Sequence, residues 1–153
     1  AYLPDQFKLT IIGDGVDNNR LRRLVCSYGF SERITFLGAL PLTSMIKILS
    51  QADLFAQISH HEGTPLSLLH AISLGIPSIA SRVGGCSEVL QDQVDLLLDY
   101  NDPELIAAKI LNISSLSVPA KLALSNSLRE CYLSTYKNLA VQHTLDLAAH
   151  RLI

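Results

Sequence analysis

Short apolar runs of strand character alternate with segments of helical spacing along most of this chain, and that alternation restricts the fold more than any other feature. The runs are Lys8 to Gly13 (KLTIIG), Ile34 to Gly38 (ITFLG), Leu54 to Ser59 (LFAQIS), Pro77 to Ser81 (PSIAS) and Asp95 to Leu98 (DLLL). Between the first two, Leu21, Leu24, Val25 and Tyr28 mark one apolar helical face; Leu42, Met45, Ile46 and Leu49 repeat the pattern before the third. Each run is apolar at nearly every position, as parallel strands covered on both faces are. The expected architecture is α/β: a three-layer, doubly wound, Rossmann-like parallel sheet of about five strands with helices on both faces. After the last run, Asp102-Pro103-Glu104 is a helix start with Asp102 as N-cap, and helical spacing continues through Ile106, Ile110 and Ile113. A Ser-rich break at Asn112 to Pro119 precedes two further predicted helices, Ala120 to Ser134 and Lys137 to Ile153.

A length of 153 residues suits one domain. Residues 7–113 are expected to form its core and residues 114–153 its C-terminal helices. The chain is 48% apolar and 17% charged, below the roughly 25% charge of an average soluble domain, so a large covered face is implied. A net charge of −2 without a basic run argues against nucleic acid as a partner. Apolar runs are too short to span a bilayer and no signal peptide opens the chain, which predicts a cytoplasmic protein. Cys26, Cys86 and Cys131 are odd in number and widely spaced, the pattern of reduced thiols rather than of disulfides or zinc ligands. Met45 is the only methionine and the chain opens Ala1-Tyr2-Leu3, which reads as a piece of a longer protein.

Ser59 to Gly75 (SHHEGTPLSLLHAISLG) carries the densest chemistry. A strand ends near Ser59, a turn holds Glu62-Gly63-Thr64, and a helix is expected from Pro65 to about Leu74, closed by Gly75. A strand's carboxyl end thus meets a helix N-terminus at Glu62 to Leu66, where open parallel sheets bind ligands and free N–H groups attract anions. The helix is apolar almost all round and so is expected to be covered. His70 lies one turn beyond Leu66 on the same face, and Glu62 and His70 are expected to line one cleft wall.

Glu-Gly-x-Pro-Leu-x-Leu-Leu-x-Ala, then Gly75-Ile76-Pro77 and Val83-Gly84-Gly85-x-x-Glu88, resembles the C-terminal, nucleotide-sugar-binding domain of retaining GT-B glycosyltransferases of family 4. Ile11-Ile12-Gly13-Asp14-Gly15, Ile34 to Gly38, Ala52-Asp53-Leu54-Phe55 and Asp102-Pro103-Glu104 agree in order and spacing, over roughly residues 7 to 113. The resemblance implies that Glu62 is the catalytic-site carboxylate holding donor-sugar hydroxyls. It implies that Gly63, Thr64, Pro65 and Leu66 surround the diphosphate, and that His70 stands where a second glutamate holds the ribose. Gly13, Gly15, Leu37 and Gly38 belong to the loops that approach the donor and its base. No cofactor and no metal are implied; the substrate is a nucleotide sugar, by default a UDP-sugar, in polysaccharide or glycolipid synthesis.

The chain departs from that pattern in several places. His70 grips two hydroxyls less well than a carboxylate, which implies a lower nucleotide affinity. Pro65 offers no N–H, though Thr64 supplies an amide and a hydroxyl. Gln93 and Leu96 stand where glycines are common. The Gly-Arg and following lysine that contact the diphosphate do not precede Lys8, nor does an N-terminal acceptor-binding domain, which is the expected partner. Any membrane association would belong to that half. The isolated piece is expected to be inactive. A lost first strand would be the central one, so the sheet leaves a gap, closes up directly or pairs with another copy.

Other readings of single motifs are weaker. Gly13-Asp14-Gly15 lacks the third glycine of a dinucleotide fingerprint, Asn18 standing there. His60-His61-Glu62 lacks zinc-ligand spacing, and adjacent histidines point apart in an extended strand. Gly84-Gly85 permits a tight loop, with Ser87 as a possible cap of the next helix. Asp53 reads as a hydrogen bonder at a helix end or strand start rather than a catalyst. Two alternatives for the whole chain stay open: a non-catalytic α/β binding or interaction module, and a sugar-nucleotide epimerase of the same architecture.

Overall fold

A computed structural model describes residues 2–90 and 93–136. The predicted helix Lys137 to Ile153 lies outside the described residues. The chain divides into two compact units, Ala1–Met45 and Ile46–Ile153, and the boundary falls inside the stretch expected to form one core.

The first unit contains β1 (Leu9–Ile12), α1 (Asn18–Ser27), β2 (Ile34–Gly38) and the start of α2 (Leu42–Leu49). β1 and β2 pair in parallel, Leu9 opposite Ile34 and Ile11 opposite Phe36, and the register slips before Ile12 reaches Gly38. Arg33 fixes the preceding segment, donating to the carbonyls of Leu3, Pro4 and Phe7 and pairing with Asp5. The apolar face of α1 forms as its spacing requires, yet none of its residues is buried. Leu24 is 45% and Tyr28 67% exposed. The expectation of strands covered on both faces fails here, because a two-stranded ladder and one helix have too little surface to enclose each other.

The second unit holds a sheet of order β3-β4-β5, all parallel: β3 (Phe55–Gln57), β4 (Ser78–Ser81) and β5 (Leu97–Leu98). All four residues of β4 are buried, as befits a central strand. Asp95 and Leu96, expected to begin the last strand, instead lie in a 3-10 turn, Val94–Leu96, so β5 is only two residues long. β1 and β2 form a sheet of their own. Within each of the two sheets the strands are parallel, as expected.

α3 (Leu66–Ser73) joins β3 to β4, and α4 (Gly84–Val89) follows β4. Leu68, Leu69, Ala71 and Ile72 of α3 are buried, the covered helix that its composition predicts. α5 (Pro103–Ser114) starts as expected, with the Leu105 amide donating to the Asp102 carboxylate at 2.8 Å. The Ser-rich break is narrower than expected. α6 (Val118–Tyr136) begins before Pro119, which a first helical turn tolerates because its missing N–H has no partner there. α6 packs on α3, where Arg129 donates to the Leu74 carbonyl at 2.8 Å. Gly75 closes α3 with φ +72°, and a Cβ there would meet the Arg129 guanidinium.

Candidate functional site

The carboxyl end of β3 leads into the Glu62 turn. Gln57, the last residue of β3, donates its side-chain amide to Ser59 Oγ at 3.3 Å and to Glu62 Oε2 at 3.1 Å. The Ser59 amide in turn donates to the hydroxyl of fully buried Ser81 at 2.9 Å, tying the end of β3 to β4. Glu62 is half-buried, while Gly63 and Thr64 are exposed. Pro65 is the N-cap of α3 rather than its first helical residue, and no side chain caps the helix. Leu66 donates to the Thr64 carbonyl and Leu69 to the Pro65 carbonyl, so the amides of Ser67 and Leu68 have no acceptor within the helix. A carboxylate and an uncapped helix start thus share one turn, and Leu66, 50% exposed, stands beside it.

α4 supports this turn from behind. The Gly85 amide donates to the Glu62 carbonyl at 3.2 Å. A Cβ on Gly84 would overlap the Glu62 carbonyl oxygen, and one on Gly85 would overlap the Gly63 carbonyl oxygen and the Pro65 ring. The two glycines let one backbone lie against another. Ser87 sits inside α4 and caps nothing, because Val83 is the N-cap. Cys86 is fully buried, and burial, with the Glu62 charge adding to it, pushes its thiol up to about 11.

His70 is 7% exposed. Its Nδ1 is sealed without a hydrogen-bond partner of good geometry among the described residues. Burial holds its pKa below the ordinary value, and the Leu66 carbonyl one turn earlier pulls weakly the other way. The His60 and Tyr100 rings meet at a tilt of 35°, centroids 4.2 Å apart, joining the loops after β3 and β5. Asp53 is exposed, and its carboxylate makes no hydrogen bond among the described residues, contrary to its expected part at the strand start.

Gly13, Gly15, Leu37 and Gly38 belong to the first unit. Gly13 donates to the Gly38 carbonyl at 2.8 Å, and Asp14 accepts from the Gly15 amide and the Asn18 side chain, which lowers its pKa. Arg22 lies 4.6 Å above the Phe36 ring and donates to the Phe36 carbonyl, bracing the end of β2. Leu37 is 39% exposed. Sequence reasoning missed Gln57, although a polar residue inside the run LFAQIS, five positions before Glu62, was its visible signal. It also missed Arg82, whose side chain braces β5 at the Leu97 carbonyl.

Residues 2–129 match glycosyl transferases group 1. The chain belongs to that family. Among relatives of this group 1 domain, N-acetyl-alpha-D-glucosaminyl L-malate synthase of Bacillus anthracis is 36% identical over 84 residues, covering 55% of this chain and 22% of that protein. A GDP-mannose-dependent monoacylated alpha-(1-6)-phosphatidylinositol monomannoside mannosyltransferase of Corynebacterium glutamicum is 30% identical over 120 residues, 74% of this chain and 31% of that protein. The chain therefore spans less than a third of the length of these relatives. The structure of Anabaena HepE in complex with UDP-glucose superimposes with a TM-score of 0.77 at 20% identity, over 98% of this chain and 42% of that one. The fold of this group 1 domain is the α/β, Rossmann-like GT-B fold.

Proposed function

We propose that this group 1 domain binds the nucleotide-diphospho-sugar donor of a retaining glycosyltransferase of family 4, with Glu62 holding hydroxyls of the donor sugar. The observation that carries the reading is a half-buried carboxylate, oriented by Gln57, on the same turn as the uncapped start of α3. A carboxylate accepts sugar O–H groups, and free helix amides with the positive dipole end stabilise a departing diphosphate. In the complete enzyme the anomeric C–O bond to the diphosphate breaks, the acceptor oxygen bonds to the same face, and its proton passes to the leaving phosphate. A UDP-sugar is the donor of choice. HepE was crystallised with UDP-glucose, whereas the Corynebacterium relative is GDP-mannose-dependent.

The names of the relatives support a product that is a polysaccharide, a glycolipid or a small glycoside. The acceptor site is assigned to the portion of such enzymes that this chain, spanning less than a third of its relatives' length, does not cover. His70 offers Nε2 to the ribose, since Nδ1 is sealed. Its burial also favours the second reading, a module that no longer turns over donor.

Calorimetric titration with UDP-glucose, GDP-mannose and ADP-glucose tests the proposal. Wild type binds one of the three, Glu62→Ala weakens that binding, and His70→Glu strengthens it. Absence of heat with all three, in wild type and His70→Glu alike, supports the non-catalytic module instead.

A further inference from the structure

We infer that Gln57 is a positioning residue for the donor sugar, acting by fixing the Glu62 carboxylate; the inference rests on the reading of Glu62 as a sugar-hydroxyl acceptor. The orientation of the Gln57 amide is settled by its partners. A carboxylate oxygen accepts only, so the group 3.1 Å from Glu62 Oε2 is the amide nitrogen, and the hydroxyl of Ser59 accepts from the same nitrogen at 3.3 Å. Ser59 is itself held through its backbone amide by buried Ser81. A line of bonds therefore runs from the central strand β4 through Ser59 and Gln57 to one oxygen of Glu62.

Among the described residues no other donor reaches that carboxylate. With Oε2 anchored, Oε1 is left to accept from a ligand hydroxyl in a fixed direction. Without Gln57 the glutamate side chain would swing about its own torsions, and binding would have to order it first. Gln57 thus serves the sugar and not the nucleotide, whose diphosphate and ribose contacts lie elsewhere on the turn and on α3.

The test is the ratio of UDP-glucose affinity to UDP affinity, measured by titration of the full chain in wild type, Gln57→Leu, Gln57→Glu and Glu62→Ala. UDP lacks the sugar, so the ratio isolates the hydroxyl contact. Gln57→Leu lowers the ratio about tenfold or more, the factor of one hydrogen bond to a charged group, and leaves UDP affinity unchanged. Gln57→Glu, of equal length, lowers it at least as far and carries the test should leucine loosen the strand end. If Glu62→Ala lowers the ratio while both Gln57 variants keep it, the inference is overturned and the donor reading stands. If Glu62→Ala keeps the ratio, both fall. The Gln57 side-chain amide resonances, which move on Glu62→Ala without ligand if the bond exists, separate a bond without a ligand role from no bond at all.

Discussion

The Gly85 backbone amide donates to the Glu62 carbonyl oxygen at 3.2 Å, so the start of α4 holds the turn that carries the candidate sugar-binding carboxylate. Two motifs more than twenty positions apart in sequence are one structural feature. The glycines at 84 and 85 are needed because the Glu62 and Gly63 backbone and the Pro65 ring occupy the space where their side chains would be.

Gly85→Ala tests this directly. A methyl group there meets backbone, which cannot swing aside as a flexible side chain can. The expected loss is about 1–3 kcal/mol of stability, the range of overpacking a close contact, read from urea unfolding. Loss of donor binding accompanies it, because the Glu62 turn must shift. Wild-type stability in Gly85→Ala would contradict the packing described.

Cysteine chemistry gives a second prediction. Cys26 is exposed, whereas Cys86 and Cys131 are buried. Burial and the nearby Glu62 charge keep the Cys86 thiol protonated near neutral pH, with its pKa at about 11, and Cys131 donates its S–H to the Val89 carbonyl. Since the thiolate is the reactive form, iodoacetamide at pH 7.5 should modify Cys26 alone in the folded chain. Mass spectrometry of tryptic peptides checks the count, and rapid labelling of Cys86 would contradict its burial.

A third prediction concerns pH. Burial lowers the pKa of His70 below its ordinary 6.5, so the unfolded chain binds a proton there before the folded chain does. Stability then rises with pH between the folded value and 6.5, and falls as pH drops through the same window. Thermal unfolding followed by circular dichroism from pH 5 to pH 8 should show this slope in wild type and a flatter one in His70→Gln. Equal slopes would remove His70 from the account.

Much of the fold was legible because local chemistry decides it. β2 runs from Ile34 to Gly38 as the apolar run does, and Asp102 caps α5 as an acceptor beside Pro103 must. Asp95 and Leu96 form a turn where a strand is expected, because a short run such as DLLL suits a strand or a turn equally well. Residues that act through distant partners were not legible in the same way. The division into two sheets follows from pairing between β1 and β2 on one side and among β3, β4 and β5 on the other, which no local pattern encodes. Gln57 is one position in the run LFAQIS, and only the folded chain brings its amide to Glu62. Gly84 and Gly85 looked like a loop signal, and their backbone contact with Glu62 and Gly63 emerged only from the folded chain.

The most direct test of the central claim is a two-dimensional amide NMR titration of the chain with UDP-glucose, repeated with GDP-mannose and ADP-glucose. Saturable shifts of the amides from Glu62 to His70, with Gly84 and Gly85 responding alongside, are predicted for one of the three donors and should be lost in Glu62→Ala. An unchanged spectrum at millimolar concentrations of all three would contradict the assignment of this turn as the donor site.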